Sequence, residues 1–468
     1  MLTGGSSSGQ EAKREPERVL RAGAATSNIT PPLGGPIIGG WRPIKAAHIH
    51  DELHARCLVL DDGTTRLVFV VCDNLGLPRE VCDAAKRLIE EAIGIPTDHI
   101  MISGTHTHSA VSARGPNRLV YSEKLTDYQQ FIATRIADGV RCALNNLEPA
   151  RIGWGSAEEP TQVFNRRWYM KPGPHLRNPF GGEDKVRMNP GRGNPNLLEP
   201  AGPTDPEVAF LSVQSTDGRP IALLANYGLH YVGGVGRGHV SADYFAMFAD
   251  RIKQILGADR LEPPFVGIMS NGTSGDINNI DFTRKGERRA PYEKMREVAH
   301  LVARDVHEAH ENVEFSTSVE LGAAQEELTL AVRKPTDELL AYMRKIKEKP
   351  DDAEPYHSRE KVYADRVLQV AESPDEVSVI LQAFRIGDLA ITAIPFEVFA
   401  EIGLELKEKG PLGQTFTISH ANGSYGYLPT PRHHKLGGYE TWLGTNVVEV
   451  QASTKIVRSL LSMMERLK

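Results

Sequence analysis

Apolar runs separated by polar, glycine-containing turns recur along the chain, and their spacing alternates between two periods. Residues 53–60 and 66–72 are β-compatible runs joined across Asp61-Asp62-Gly63-Thr64-Thr65, a turn in which glycine can supply a left-handed position, so they predict an antiparallel hairpin. The same device recurs at 207–213 with 220–225, and at 377–384 with 389–394. Helical spacing takes over at 78–93, with Gly94 as its stop, and leads into a buried strand that ends at Gly104. Residues 125–147 place Tyr128, Phe131, Ile132, Ile136 and Val140 on one helical stripe. Further helices are predicted at 244–256, 290–311 and 450–467, and further strands at 19–27, 265–269, 317–332 and 415–419. Hairpins interleaved with strand-helix-strand units exclude an all-parallel sheet. They predict an α/β fold of mixed β-sheets with helices packed outside, one large domain over 21–468 behind a flexible polar tail at 1–20.

Two stretches depart from this rhythm. Residues 162–203 turn to Gly, Pro, Asn and base without an apolar period, which predicts a functional loop or lid. The basic residues there, Arg166, Arg167, Lys171, Arg177, Lys185, Arg187 and Arg192, face only Glu183, Asp184 and Glu199, so a pocket beneath them should favour polar or anionic groups. The same charges would also serve a merely solvated loop. Residues 333–375 carry two charged helices, near 335–347 and 358–371, and predict a surface insertion without chemistry of its own.

Composition narrows the partners. A net charge of −6 with acids and bases interspersed offers no basic face for nucleic acid, and no apolar run is long enough to span a bilayer. Cys57, Cys72, Cys82 and Cys142 lack CxxC spacing and read as buried thiols, neither a zinc knuckle nor a disulfide framework. The N-terminal stretch has no apolar signal core, which fits a cytoplasmic chain or an exported one whose signal has been removed.

Chemistry gathers at the strand ends. His106 and His108 follow the strand that ends at Gly104, and an extended path over residues 105–109 would put both imidazoles on one side, for a metal or a substrate. Two histidines hydrogen-bonded in a loop fit the spacing equally well. His230 follows the second hairpin, and Glu397 sits just inside a predicted helix start, where an acid also complements the helix dipole. Tyr425 and Tyr427 follow the strand at 415–419. The run from Ser270 to Asp276 is glycine-rich but lacks the lysine of a phosphate-binding P-loop; a small-residue turn there could instead present Asp276 and backbone amides to a site. The loop at 29–41 has glycines that permit close approach to another backbone or a substrate. Catalytic zinc takes about three protein ligands from histidine and carboxylate and keeps one position open, which this set of residue types can supply.

Several ordered motifs resemble the neutral ceramidases and their bacterial relatives, a family of zinc-dependent amidases. They are AATSNITPPLG from Ala24, SGTHTHSA from Ser103, FNRRW from Phe164, LHYV from Leu229, SNGTSGDINN from Ser270, AITAIPFE from Ala390, ISHANGSYGYLP from Ile418 and GGYE from Gly437. The resemblance covers nearly all of the chain from about residue 21, and the C-terminal immunoglobulin-like domain of the family has no counterpart in it. It implies a single zinc ion, Zn2+, held by His106, His230, Glu397 and Tyr427. His108 becomes an acid-base or outer-shell histidine and Arg166 a substrate contact. The implied reaction is attack of metal-activated water on an amide of a small N-acyl or lipid-like substrate, with His108 giving a proton to the departing amine. Asp276 and Asn278 fall in the turn that faces the reacting end in the family. Asn278 stands where the family has serine, and an amide cannot act as a nucleophile. With the basic 162–203 span, that departure implies a substrate more polar than ceramide; a true ceramidase and a non-catalytic metal-containing binding protein are the alternatives.

Overall fold

A computed structural model describes residues 19–40, 42–115 and 117–468. The tail expected over residues 1–20 lies outside the described residues except for its last two positions, and Trp41 of the Pro/Gly loop lies outside them too.

The alternating runs become β1 (Arg21–Asn28), β2 (His54–Asp61), β3 (Arg66–Cys72) and β4 (Ile100–Gly104), then β5 (Glu148–Glu158), β6 (Glu207–Ser215), β7 (Pro220–Tyr227) and β8 (Val266–Asn271). They form one sheet in the order β8-β7-β6-β5-β1-β2-β3-β4. Interior pairs are antiparallel, while the edge pairs β3/β4 and β7/β8 are parallel, so each edge needs a crossover. Those crossovers contain α1 (Arg79–Ile93) and, after α2 (Asp127–Asn145), α3 (Asp243–Ile255). Gly94 ends α1 at φ 75°, and Thr126 with Gln129 closes a capping box on α2.

The middle of the sheet is weakly joined: β1 meets β5 over only Arg21↔Pro149 and Ala22↔Glu148. Apolar residues from both halves, such as Leu58, Phe69 and Met101 on one side and Leu211, Leu224 and Ile268 on the other, share one core. That core also takes Phe384, Ile391 and Phe416 from a second sheet. After α4 (Glu293–His310), this sheet comprises β9 (Leu321–Ala331), β10 (Glu376–Ile386), β11 (Leu389–Ala393) and β12 (Gln414–Ile418), in that order. The outer faces are covered by helices: α1 and α2 over β2 and β3, α3 and α4 over β6 and β7. The second sheet is covered by α5 (Asp337–Glu348), α6 (Glu360–Ala371), α7 (Ala400–Lys409) and α8 (Ala452–Leu467). Mixed sheets with helices outside are what the hydrophobic pattern called for.

Three readings need correction. Residues 162–203 are not without secondary structure: Arg167–Met170 is the centre of a small sheet with Val186–Met188 and Leu197–Pro200, built by long-range pairing that no local period announces. Cys142 is exposed, whereas Cys57, Cys72 and Cys82 are buried, because it falls on the outer side of α2. Glu397 is not inside a helix; α7 begins at Ala400, and Glu397 pairs in parallel register with Tyr427. Among the described residues, no helix is long and apolar enough to cross a membrane.

Candidate metal centre

Asn271, the last residue of β8, gathers the loops of the site. Its side-chain amide donates to the Thr105 and Leu229 carbonyls at 3.2 and 3.3 Å, which ties the turn after β4 to the turn after β7. His106 then leaves β4 at φ 69°, so residues 105–109 are not extended and strand alternation does not account for the histidine pair. The left-handed turn instead brings His106 Nε2 and His108 Nε2 to 3.2 Å. His230 Nε2 lies 3.1 Å from His106 Nε2, and Glu397 Oε2 lies 3.4 and 4.0 Å from the Nε2 atoms of His106 and His230. Among the described residues, His106, His108 and His230 are the one group of histidines, cysteines and carboxylates placed to hold a metal, with ligand atoms within 4.8 Å of one another.

The tautomers follow from the backbone. His106 Nδ1 is 2.7 Å from the Leu75 carbonyl, which can only accept, so Nδ1 carries the hydrogen and Nε2 the lone pair. His230 Nδ1 faces the Ser274 carbonyl at 3.1 Å in the same way, while the Ser274 hydroxyl donates to Asn271 Oδ1 at 2.8 Å. Two imidazole lone pairs therefore point at each other across 3.1 Å, beside a buried Glu397 oxygen with no hydrogen-bond donor. Such an arrangement repels unless a cation lies between the groups, and a carbonyl behind each imidazole is how metal-ligating histidines are oriented. The donor set fits a divalent cation of the zinc class.

Electrostatics favour the same occupant. Burial holds His108 and His230 well below the usual histidine range, so both rings stay neutral and ready to coordinate. Burial drives Tyr427 well above the phenol range, Glu397 adding to the effect. Its hydroxyl accepts from Arg166 Nη2 at 3.0 Å. Arg166 is buried, with Nη2 also 2.8 Å from the Gly275 carbonyl and Nε 3.2 Å from Glu440 Oε1. A buried guanidinium held through both Nε and Nη2 is a positioning device as well as a charge.

Six of the nine residues singled out from sequence thus converge: His106, His108, His230, Glu397, Tyr427 and Arg166; Tyr425 turns away, its hydroxyl donating to the Ser378 carbonyl at 3.4 Å. The side chains of Asp276 and Asn278 are structural ties, although the Asp276 carbonyl accepts from the Arg166 N–H at 2.8 Å. Asp276 accepts from the Ala400 N–H at the start of α7 and from Asn165 Nδ2, both at 2.9 Å. Asn278 donates to Asn189 Oδ1 at 2.9 Å and accepts from the Ile280 N–H at 3.0 Å.

Two residues of the site went unread in the sequence. His420 stacks on His106 with ring centroids 4.1 Å apart, and neither of its ring nitrogens has a hydrogen-bond partner. It follows β12 as His106 follows β4, and that strand-then-histidine pattern was the available signal. Glu440 is fully buried between Arg166 and Arg167, at 3.2 and 2.5 Å, and nothing local marks it. The Pro/Gly loop does make its close approach: a Cβ added at Gly39 would stand 2.3 Å from the His108 carbonyl oxygen.

Neutral ceramidase A of Dictyostelium discoideum is 23% identical over 269 residues, which is 55% of this chain and 34% of that protein, so the aligned stretch spans about a third of the relative's length. The crystal structure of neutral ceramidase from Pseudomonas aeruginosa matches with a TM-score of 0.71 at 17% identity, over 97% of this chain and 75% of the other. A ceramidase complexed with C2 matches with a TM-score of 0.71 at 16% identity, over 96% of this chain and 75% of that one. Those two likenesses establish the fold. A model of the N-terminal part of the neutral/alkaline non-lysosomal ceramidases matches residues 21–287, more than half of the chain, and the chain belongs to that family.

Proposed function

We propose that the chain is a zinc-dependent hydrolase that cleaves an amide bond of an N-acyl substrate more polar than ceramide. The observation that carries this reading is the pair of lone pairs from His106 and His230, fixed by backbone carbonyls and facing each other at 3.1 Å beside Glu397. His106, His230 and Glu397 would hold the ion, with the Tyr427 phenol next to Glu397 as a fourth ligand. When bound there, zinc would lower the pKa of a water molecule and polarise an amide carbonyl.

The protein's own groups do the rest. His108, kept neutral by burial, takes up a proton and returns it to the leaving amine nitrogen. Its ring is held for that task by Tyr231, stacked at 3.6 Å. Arg166 keeps a permanent positive charge beside Tyr427, where negative charge develops as the carbonyl is attacked. Asp276 and Asn278 serve by fixing backbone, so an asparagine in place of the family serine costs the reaction no nucleophile.

One observation favours the second reading, a true ceramidase. Leu33, Ile38 and Ile44 are 53, 38 and 41% exposed on the loop whose Gly39 packs against His108, a surface suited to an acyl chain. A single experiment separates the readings. Purified protein is analysed for metal and then offered ceramide, N-acyl amino acids, N-acyl amines and simple esters, with a chelated control. About one zinc per chain is expected, together with cleavage of polar N-acyl compounds and loss of metal in Glu397→Gln. Preference for ceramide would overturn the polar-substrate part; bound zinc without turnover of any amide would leave a binding protein.

A further inference from the structure

A cavity of about 710 Å3, within the size range of small-molecule sites, is lined by residues that adjoin the supports of the metal centre but by none of its proposed ligands. Arg114, Arg118 and Ser424 line it on that side. Arg114 Nη2 reaches the Leu75 carbonyl at 3.5 Å, the carbonyl that fixes the His106 tautomer. Arg118 abuts the residue before Tyr427: a Cβ added at Gly426 would stand 2.3 Å from Arg118 Nη1. A Cβ added at Gly76 would meet Ser424 Oγ at 2.7 Å and Arg114 Nη2 at 3.2 Å, so hydroxyl and guanidinium are neighbours.

These groups lack counterparts. Ser424 is 7% exposed, and its Oγ has no hydrogen-bond partner; Arg114 Nε is buried and likewise unpartnered. Among the described residues no carboxylate forms an ion pair with Arg114 or Arg118; of the three carboxylates lining the cavity, Asp83 is taken by Arg79 at 3.3 Å, and Glu80 and Glu376 are the other two. Burial, and then the neighbouring Arg114, push Arg118 down to about 10 against a partial offset from Glu397, a crowding of cations that a bound anion would relieve further. Two guanidinium groups and a free hydroxyl turned on one cavity form the donor set for an oxyanion.

We propose that Arg114, Arg118 and Ser424 form an oxyanion subsite, and that the substrate carries a carboxylate or phosphate on its amine half that seats there, as an N-acyl amino acid does. The substrate half of this statement rests on the amidase reading above; the subsite does not.

Calorimetric titration of the whole zinc-free chain keeps the two apart. N-octanoylglycine should bind, N-octanoylethanolamine at least tenfold more weakly, and Arg118→Gln and Ser424→Ala should each weaken N-octanoylglycine at least tenfold while Arg118→Lys retains most of the affinity. Inorganic phosphate that binds and is lost in Arg118→Gln, without binding of N-octanoylglycine, would overturn the substrate assignment and uphold the subsite as one for a free anion. Equal affinity of wild type, Arg114→Gln and Arg118→Gln for both anions, with unchanged circular dichroism, would overturn the subsite. A zinc-loaded chain that hydrolyses no amide would count against the amidase reading and leave these affinities standing.

Discussion

Lys86 is the residue at which this fold most plainly works against itself. It lies on the inner face of α1 at 2% exposure, and its ammonium has no hydrogen-bond partner. Burial pushes it down to about 8, against a partial offset from Cys82, Asp83 and Asp98. The folded value is below the unfolded one of about 10.4, so between the two the unfolded chain holds a proton that the folded chain has released. Stability attributable to Lys86 therefore rises with pH from about 8 to 10, and the full penalty applies below that window. Lys86→Met should stabilise the protein at pH 7 by on the order of 2–3 kcal/mol, with a gain that shrinks toward pH 10. Thermal melts of both proteins across that range check it, and a pH-independent difference would refute the assignment. No sequence pattern predicts this burial, because a lysine between Ala85 and Ile89 reads as the rim of an amphipathic stripe. His420 went unread for a related reason: its role lies in stacking on His106, a contact between residues far apart in the chain.

At the scale of elements, the hairpins were legible because each is a local object with its own turn. Gly63 and Gly387 take φ of 87° and 58° in two of the turns where glycine was expected. The placement of Glu397 was not legible, because its partner Tyr427 comes from a distant segment and parallel register leaves no local trace. What sets Glu397 is the turn after β8. A Cβ on Gly275 would stand 2.5 Å from the Glu397 carbonyl oxygen, while Asp276 next to it anchors the start of α7. Gly275→Ala must therefore displace the Glu397 backbone without touching any ligand atom. Loss of such a supporting contact should cost about 10- to 100-fold in zinc affinity with the fold retained. Competition with a zinc-sensitive chelator measures this; wild-type affinity in Gly275→Ala would show that the turn does not position the carboxylate.

The whole molecule sets a further constraint, because the family match ends at residue 287 and the proposed ligand set does not. His106, His108 and His230 lie within that limit, whereas Glu397, His420 and Tyr427 lie on the second sheet and its connections. That sheet also forms one side of the central core: Phe384 meets Phe69 edge-on at 5.1 Å, and Leu389, Ile391 and Phe416 continue the contact over the first sheet. A fragment of residues 1–287 would uncover this face to water, at roughly 25 cal/mol for each Å2 of apolar surface, and would leave the imidazoles without their carboxylate. Such a fragment should bind a hydrophobic dye, lack the near-ultraviolet dichroism of fixed aromatic packing and fail to retain zinc. Co-expression with residues 288–468 should restore all three properties, since the two pieces together bring every strand of the shared core. A compact 1–287 fragment that keeps its zinc would instead place the whole metal site in the first sheet, with Glu397 as an ornament of the second.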